Sequence, residues 1–383
     1  MREASKNLSA KKVVENLMCA DKNGESMDKI KKVFKSIKEK IDLIAIINTG
    51  VSDPNFKYLT QFRSGIFEQN FLLVDKHGME LITNNLEYET ALGQRLKHMK
   101  IKRIDSGKET SSYLRKKIYK KTIGLNYNFL PIAYRNFIKK FKPKKIIDVS
   151  PAFVNARAVK DGSEMENIRA ANKITKMAFA EIPQYFKAGI TEKQLAARFN
   201  YLMAEKGADD NAFETIVCFG KNSALPHHSP SKSRLQENSF ILIDAGAKYN
   251  NYCADLTRTF IFKPDIKSSK YKRMIEIYET VKRAQRLGLE SAAEGVNGQK
   301  VFEKVLNFIN TADHGKYKNK FIHGLGHSIG IEVHDHGASF SNQDIVLKEN
   351  MVISDEPGIY INGFGGVRIE DDVLIKKKKS EFL

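Results

Sequence analysis

The chain of 383 residues is 42% hydrophobic and 28% charged, which is too apolar for a disordered polypeptide and enough for one large or two ordinary globular domains. Its 64 Lys and Arg outnumber its 45 Asp and Glu to give a formal charge of +19, an excess that can signal a polyanionic partner. The basic runs Lys139 to Lys145 and Lys376 to Lys379 lack interleaved aromatic platforms, so a solvated lysine-rich surface is expected and nucleic acid is not.

In chain order, residues 1–26 are polar and without sustained periodicity, which predicts a flexible N-terminal extension. They contain no apolar block followed by a small-residue cleavage site. The longest apolar runs, such as Leu43 to Ile47 and Phe240 to Ile243, fall far short of the roughly 20 residues of a membrane-spanning helix. The expectation is a cytoplasmic protein with no membrane partner. Cys19, Cys218 and Cys253 are too few and too scattered for a disulfide framework.

From Asp28, apolar runs at Leu43 to Ile47, Phe71 to Val74 and Leu81 to Thr83 alternate with helical stretches at Glu87 to Met99, Ser111 to Lys120 and Ala133 to Phe141. The alternation predicts an α/β domain over residues 27–156, closed by a strand around Ile146 to Val149 and the Ser150-Pro151 turn. The charge balance shifts at the same place. Residues 1–156 hold 31 basic and 16 acidic side chains, and residues 157–383 hold 33 and 29, so two regions of different electrostatics are expected.

The second region, 157–383, opens with a helical pattern from Ser163 to Phe186 in which Ile168, Ala171, Ile174 and Ala178 recur every three or four residues. Gly189-Ile190-Thr191, followed by Leu195, is then echoed by Gly295-Val296-Asn297, followed by Val301. Each places Thr or Asn where a helix N-cap belongs. Each also follows a long helix (the second from Ser268 to Glu290) and precedes β-like segments, which predicts two similar αα plus β halves.

Seven of the nine histidines fall between His227 and His336. Within that window two β-rich arms flank a polar turn at Lys248 to Asn251, the pattern of a hairpin. Asp244 and Asp255 are equidistant from its centre, and that register would set them face to face. Two carboxylates so placed repel, and one pKa must rise unless a cation lies between them. Downstream, His323, His327, His334 and His336 crowd a glycine-rich stretch, and neutral imidazole suits borderline divalent metals. Glu356 stands at the Pro357-Gly358 junction. Glu370 is expected to share a strand face with Arg368 and Asp372.

The order DAGA, Asp-x10-Asp, HGLGHSIGIEVHD, DEPGIY and GVRIED resembles the pita-bread metallopeptidases, a family that includes proline dipeptidase, aminopeptidase P and the metal-free creatinase. The likeness covers residues 157–375. The region before it resembles the N-terminal domain of creatinase, prolidase and aminopeptidase P. The resemblance implies an α+β pita-bread catalytic domain behind an α/β creatinase-like domain.

It also implies five metal ligands: Asp244 on one metal, His327 and Glu356 on the other, with Asp255 and Glu370 bridging both. Four carboxylates balance two divalent cations, most readily Mn²⁺, with Co²⁺, Fe²⁺ or Zn²⁺ as alternatives. The implied chemistry is attack of a metal-bridging hydroxide on a peptide carbonyl, with Glu356 as general base. By the same resemblance, His334 and His227 would stabilise the tetrahedral intermediate. His323 would line the pocket, Arg368 would hold the glutamates, and Thr257 would support Asp255. Because position 228 is also histidine, the pocket histidine is ambiguous by one residue.

Family members with this N-terminal domain prefer proline after the scissile bond, which implies short proline-containing peptides as substrates and a homodimer as the assembly. Many dipeptidases of this type carry an arginine just past the HD or HE pair. In HDHGASFS that position is Ala338, so the expectation leans to an Xaa-Pro aminopeptidase with Xaa-Pro dipeptidase as the alternative. Metal-free hydrolysis and a non-catalytic scaffold are disfavoured by a complete ligand set.

Overall fold

The computed structural model describes residues 24–50, 52–341 and 343–383, and contacts divide the chain into two compact units after Ala156. Residues 1–23 of the expected extension, including Cys19, lie outside the described residues. Its last two, Glu25 and Ser26, already belong to helix α1 (Glu25–Ser36).

The first unit continues with β1 (Leu43–Ile47), α2 (Pro54–Thr60), β2 (Phe71–Asp75), β3 (Gly78–Thr83), α3 (Asn85–Gly93), β4 (Met99–Arg103), α4 (Gly107–Ile118), β5 (Thr122–Leu125), α5 (Ile132–Lys139) and β6 (Lys145–Asp148). The strands form one sheet in the order β4-β3-β2-β1-β5-β6. The run β1 to β3 is antiparallel, and β4, β5 and β6 each join a parallel neighbour. Every residue of β1 is buried, which is why it reads as an unbroken apolar run. Leu43, Ala45 and Ile47 pack with Phe71, Ile82, Leu114, Ile118 and Ile138.

The helix expected from Glu87 to Met99 begins at Asn85, behind the Asn84 cap, and stops at Gly93. Glycine is a poor helix former. The next side chain, Gln94, turns away to accept the Arg63 and Ser64 amides. Met99 opens β4 instead.

Helix α6 (Ser150–Ala158) carries the chain across the boundary. The second unit follows with α7 (Gly162–Glu181) and α8 (Glu192–Glu205). The helix expected to reach Phe186 gives way at Ile182 to a tighter turn containing Pro183, since proline cannot continue the hydrogen-bond ladder. Strands β7 (Asp210–Asn211), β8 (Ile216–Phe219), β9 (Ser239–Ala245), β10 (Ala247–Tyr249), β11 (Tyr252–Cys253) and β12 (Leu256–Phe262) complete the first half. The second half contains α9 (Ser269–Ser291), α10 (Gly298–Gly315), β13 (Gly326–Ser328), β14 (Asp335–Phe340), β15 (Val352–Asp355), β16 (Gly358–Ile361), β17 (Gly365–Arg368), β18 (Asp371–Leu374) and β19 (Glu381–Phe382).

The predicted echo between the halves extends to hydrogen bonds. Gly189 and Gly295 have φ of +83° and +82°, a left-handed conformation natural to glycine. Thr191 and Asn297 cap α8 and α10. The Gly189 amide donates to Leu235 O and the Leu235 amide to Ile190 O; Gly295, Leu347 and Val296 repeat the pattern. Each half therefore staples the turn between its two helices to the segment leading into its next strand, β9 or β15, in the same way. In the first half, Ala171, Ala178, Phe199 and Leu202 pack on Val217, Ile241 and Ile243. In the second, Ile277, Val281, Val301 and Val305 pack on Phe340, Ile353 and Val373. No helix among the described residues is long and apolar enough to cross a membrane.

Candidate metal centre

Strands β9 and β12 form an antiparallel hairpin whose two-residue turn is Asn250-Asn251, both with positive φ, the requirement of a type I′ turn. This shifts the register from the one expected. Asp244 faces Thr257, not Asp255, so the aspartates meet diagonally on one face. Gly246 stands in the way of any larger residue: a Cβ there would lie 1.7 Å from the Ala254 carbonyl oxygen.

The other half brings three more donors. His327 lies in β13, and Glu356 follows β15 directly. Glu370 sits between β17 and β18, where its amide donates to Thr257 O and joins the two halves. One ligand atom from each of Asp255, His327 and Glu370 lies within 4.8 Å of the others. His327 Nε2 is 3.6 Å from Asp255 Oδ2 and 3.4 Å from Glu356 Oε1.

Arg368 is the cation of this acidic nest. Its guanidinium donates to Asp244 Oδ2 at 2.7 Å, Thr257 Oγ1 at 3.0 Å and the Tyr360 hydroxyl at 2.9 Å. Thr257 in turn donates to Glu370 Oε2 at 2.6 Å. Arg368 thus holds an aspartate directly and reaches Glu370 through Thr257. The expected support of Asp255 by Thr257 is replaced by support of Glu370. The Asp255 amide instead donates to Asp372, which Asn172 also holds.

Burial pushes Asp255 and Glu370 well above the ordinary carboxylate range, reinforced by neighbouring acids, and raises Glu356 to about 8. Asp244 Oδ1 and Asp255 Oδ1 are buried without a hydrogen-bond partner. Burial also lowers His327 to about 4, which keeps its imidazole neutral and able to donate a lone pair at neutral pH. Crowded carboxylates with unsatisfied oxygens beside a neutral imidazole match the donor chemistry of divalent transition metals.

These groups line a cavity of about 430 Å³ with His227, His323, His334, Phe213, Ser339, Ser341 and Gln343. His323 Nε2 lies 2.8 Å from the Tyr360 hydroxyl, and the His334 ring lies against His327 with centroids 4.1 Å apart and planes tilted by 51°. The ambiguity between adjacent histidines has a geometric answer: His227 faces the cavity, while His228 Nε2 lies 2.8 Å from the Glu192 carboxylate. A three-residue register slip lets β14 bulge beyond Ser328. Adjacent residues of β14 face opposite ways, so Ala338 packs into the core at 5% exposure while its neighbour Ser339 faces the cavity.

A family model described as metallopeptidase family M24 matches residues 166–377, and one for the creatinase/prolidase N-terminal domain matches residues 29–159. The chain belongs to the M24 metallopeptidase family. An Xaa-Pro dipeptidase of Pyrococcus furiosus is 34% identical over 82% of this chain and 86% of its own length. Among solved structures, an Xaa-Pro dipeptidase of Bacillus anthracis superposes with a TM-score of 0.82 at 28% identity, covering 93% of this chain and 97% of the other. An X-Pro aminopeptidase of Thermotoga maritima gives 0.81 at 32% identity over 92% and 97%. This M24 hydrolase therefore has the expected pita-bread catalytic fold behind a creatinase-type domain.

Two contributors to the M24 site were not assigned roles from the sequence. Tyr360 lies in the GIY motif, yet nothing in its spacing announces a hydroxyl between His323 and Arg368. Ser354 points inward: its hydroxyl accepts the His327 amide at 3.0 Å and donates to Glu356 Oε1 at 3.3 Å.

Proposed function

We propose that this enzyme is an Xaa-Pro aminopeptidase that removes the amino-terminal residue from short peptides with proline in second place. The observation that carries the reading is the convergence of Asp255, His327 and Glu370 within 4.8 Å, beside Asp244 and Glu356, on one cavity. Asp244, Asp255, His327, Glu356 and Glu370 would hold two divalent ions, Mn²⁺ first among them because the donors are oxygen-rich. Bound there, such ions supply Lewis acidity that polarises a carbonyl and lowers the pKa of water.

The chain's own residues do the rest. Glu356 accepts the proton released from the attacking water and passes it towards the leaving nitrogen. His227 and His334 line the wall from which an N–H can stabilise the oxyanion. His323, anchored on Tyr360, shapes the pocket, and Arg368 with Thr257 fixes Asp244 and Glu370 in place. A homodimer is the assembly we propose, by likeness to related enzymes.

The choice of aminopeptidase over dipeptidase rests on charge. A dipeptide's free carboxylate needs a cation. Among the described residues lining the cavity, the one Lys or Arg is Arg368, already engaged with Asp244, Thr257 and Tyr360. Ser339, Ser341 and Gln343 offer neutral hydrogen-bonding groups suited to a continuing peptide chain.

Turnover of Xaa-Pro-Yaa and Xaa-Pro by the manganese-loaded enzyme tests this. Faster turnover of the tripeptide is expected, and strong preference for the dipeptide would reverse the choice. Asp255→Asn and Glu370→Gln should lose metal and activity together; an active Glu370→Ala enzyme would remove the bridging assignment.

A further inference from the structure

Glu192 is the first residue of α8 and is fully buried, although it lies outside the cavity. Its helix does not need it there, because Thr191 and Gln194 already form the capping box. Burying a carboxylate away from water is costly unless its oxygens are satisfied. Here Oε1 accepts the Phe219 amide at 2.8 Å and Asn222 Nδ2 at 2.9 Å. Oε2 accepts the Ser231 amide at 2.9 Å and the Ser231 hydroxyl at 2.6 Å, and lies 2.8 Å from His228 Nε2. Burial by itself would raise this carboxyl; the hydrogen bonds from Ser231, Asn222, His228 and Phe219 outweigh it and hold the group below its ordinary value.

These five contacts gather the segment from the end of β8 at Phe219 to the loop at Ser231, and that segment carries His227. Among the described residues His227 makes no side-chain hydrogen bond of its own. Pro226 and Pro230 deprive the loop of two backbone donors. What ties the stretch between them to the body of the protein is the neighbouring His228 on the Glu192 carboxylate.

We propose that Glu192 is a positioning residue: its buried carboxylate gathers the 219–231 loop and so presents His227 to the catalytic cavity. The inference rests on the role of His227 given above. Glu192→Gln puts an amide N–H₂ among five donors, so it breaks the hub while conserving shape.

In the manganese-loaded enzyme, Glu192→Gln is expected to lower kcat/KM for Xaa-Pro-Yaa by about 10- to 100-fold, mostly in kcat, as for a displaced transition-state donor, with bound metal unchanged. In a His227→Ala background the same change should cost less than about twofold, because the group it positions is already gone. An additive loss, or a folded Glu192→Gln enzyme with full kcat/KM, overturns the proposal. Should Glu192→Gln not fold, His228→Gln, which keeps a donor, should retain most activity while His228→Ala loses it; equal behaviour of the two overturns the proposal.

If His227→Ala proves fully active, the role of His227 fails, and Glu192 is then judged by trypsin cleavage after Lys221, Lys232 and Arg234. Faster cleavage in folded Glu192→Gln upholds the loop-holding role, and an unchanged rate overturns it.

Discussion

Arg368 donates to Asp244 at 2.7 Å, and through this contact the second half of the catalytic unit grips a metal-ligand candidate of the first. Both side chains are buried, so removing one leaves the other charged and desolvated. Arg368→Met should cost the metal-free protein about 3–5 kcal/mol, the usual loss when one partner of a buried pair is deleted. It should also reduce activity by about 10- to 100-fold, as for other residues that support metal ligands. Urea unfolding in EDTA and initial rates in Mn²⁺ measure the two effects; unchanged stability would contradict the assigned grip.

The acidic nest makes stability depend on pH in a direction that metal should erase. Glu356 is raised to about 8 from an ordinary 4.5. The folded state therefore keeps a proton that the unfolded chain has lost, and this stability disappears as pH rises through 8. His323 and His327, lowered to about 4 from 6.5, act in the opposite sense, but only between those two values. Between pH 6.5 and 8 the carboxyl sets the sign. Calorimetry in EDTA should show the unfolding midpoint falling across that window. With Mn²⁺ at about 100 times its dissociation constant, the slope should flatten and stability rise by about 2.7 kcal/mol. A metal-free midpoint that climbs with pH would contradict this.

Peptide-length preference should respond to charge placed in the cavity and not to charge at the position suggested by family pattern. Ser341 lines the cavity, whereas Ala338 is packed in the core. Ser341→Arg should shift the ratio of kcat/KM for Xaa-Pro over Xaa-Pro-Yaa by about tenfold towards the dipeptide, equivalent to about 1.4 kcal/mol. Ala338→Arg should instead destabilise the fold, since it inserts a long cation into an apolar cluster. Paired kinetics and thermal melts distinguish these outcomes.

The glycines beside the ligands are predicted to be intolerant of a methyl group. A Cβ at Gly246 would meet Ala254 O at 1.7 Å, and one at Gly326 would meet Ser354 O at the same distance. Both contacts are with backbone, which cannot swing aside. Gly246→Ala should cost about 1–3 kcal/mol or more through forced backbone shifts and weaken metal binding by moving Asp244 relative to Asp255. Thermal unfolding and manganese titration report on the two; a variant with wild-type values in both would show that the strands can part without consequence.

The fixed order of carboxylates and imidazoles pointed to Asp255, His327 and Glu370, whose ligand atoms lie within 4.8 Å of one another, and the repeated capping signals at Thr191 and Asn297 marked the two halves. Register was not legible. Whether Asp244 opposed Asp255 or Thr257 depended on which residues made the turn, and the left-handed pair Asn250-Asn251 decided it against a centre drawn two positions wider. Position 338 escaped because strand alternation in β14 turns Ala338 to the core and its neighbour Ser339 to the cavity. Tyr360 and Glu192 were silent because their partners, His323 and Arg368 for one and the 219–231 segment for the other, are brought to them only by folding.

The twin staples at Gly189 to Thr191 and Gly295 to Asn297 mean that each half has its own scaffold, yet neither owns a working centre. Asp244 and Asp255 come from one side of the exposed link around Ile266, and His327, Glu356 and Glu370 come from the other. On the proposed ligand set, catalysis would belong to the seam. If the polypeptide were severed at that link, each fragment alone should be inert, and reunion of the two should be the event that creates an enzyme.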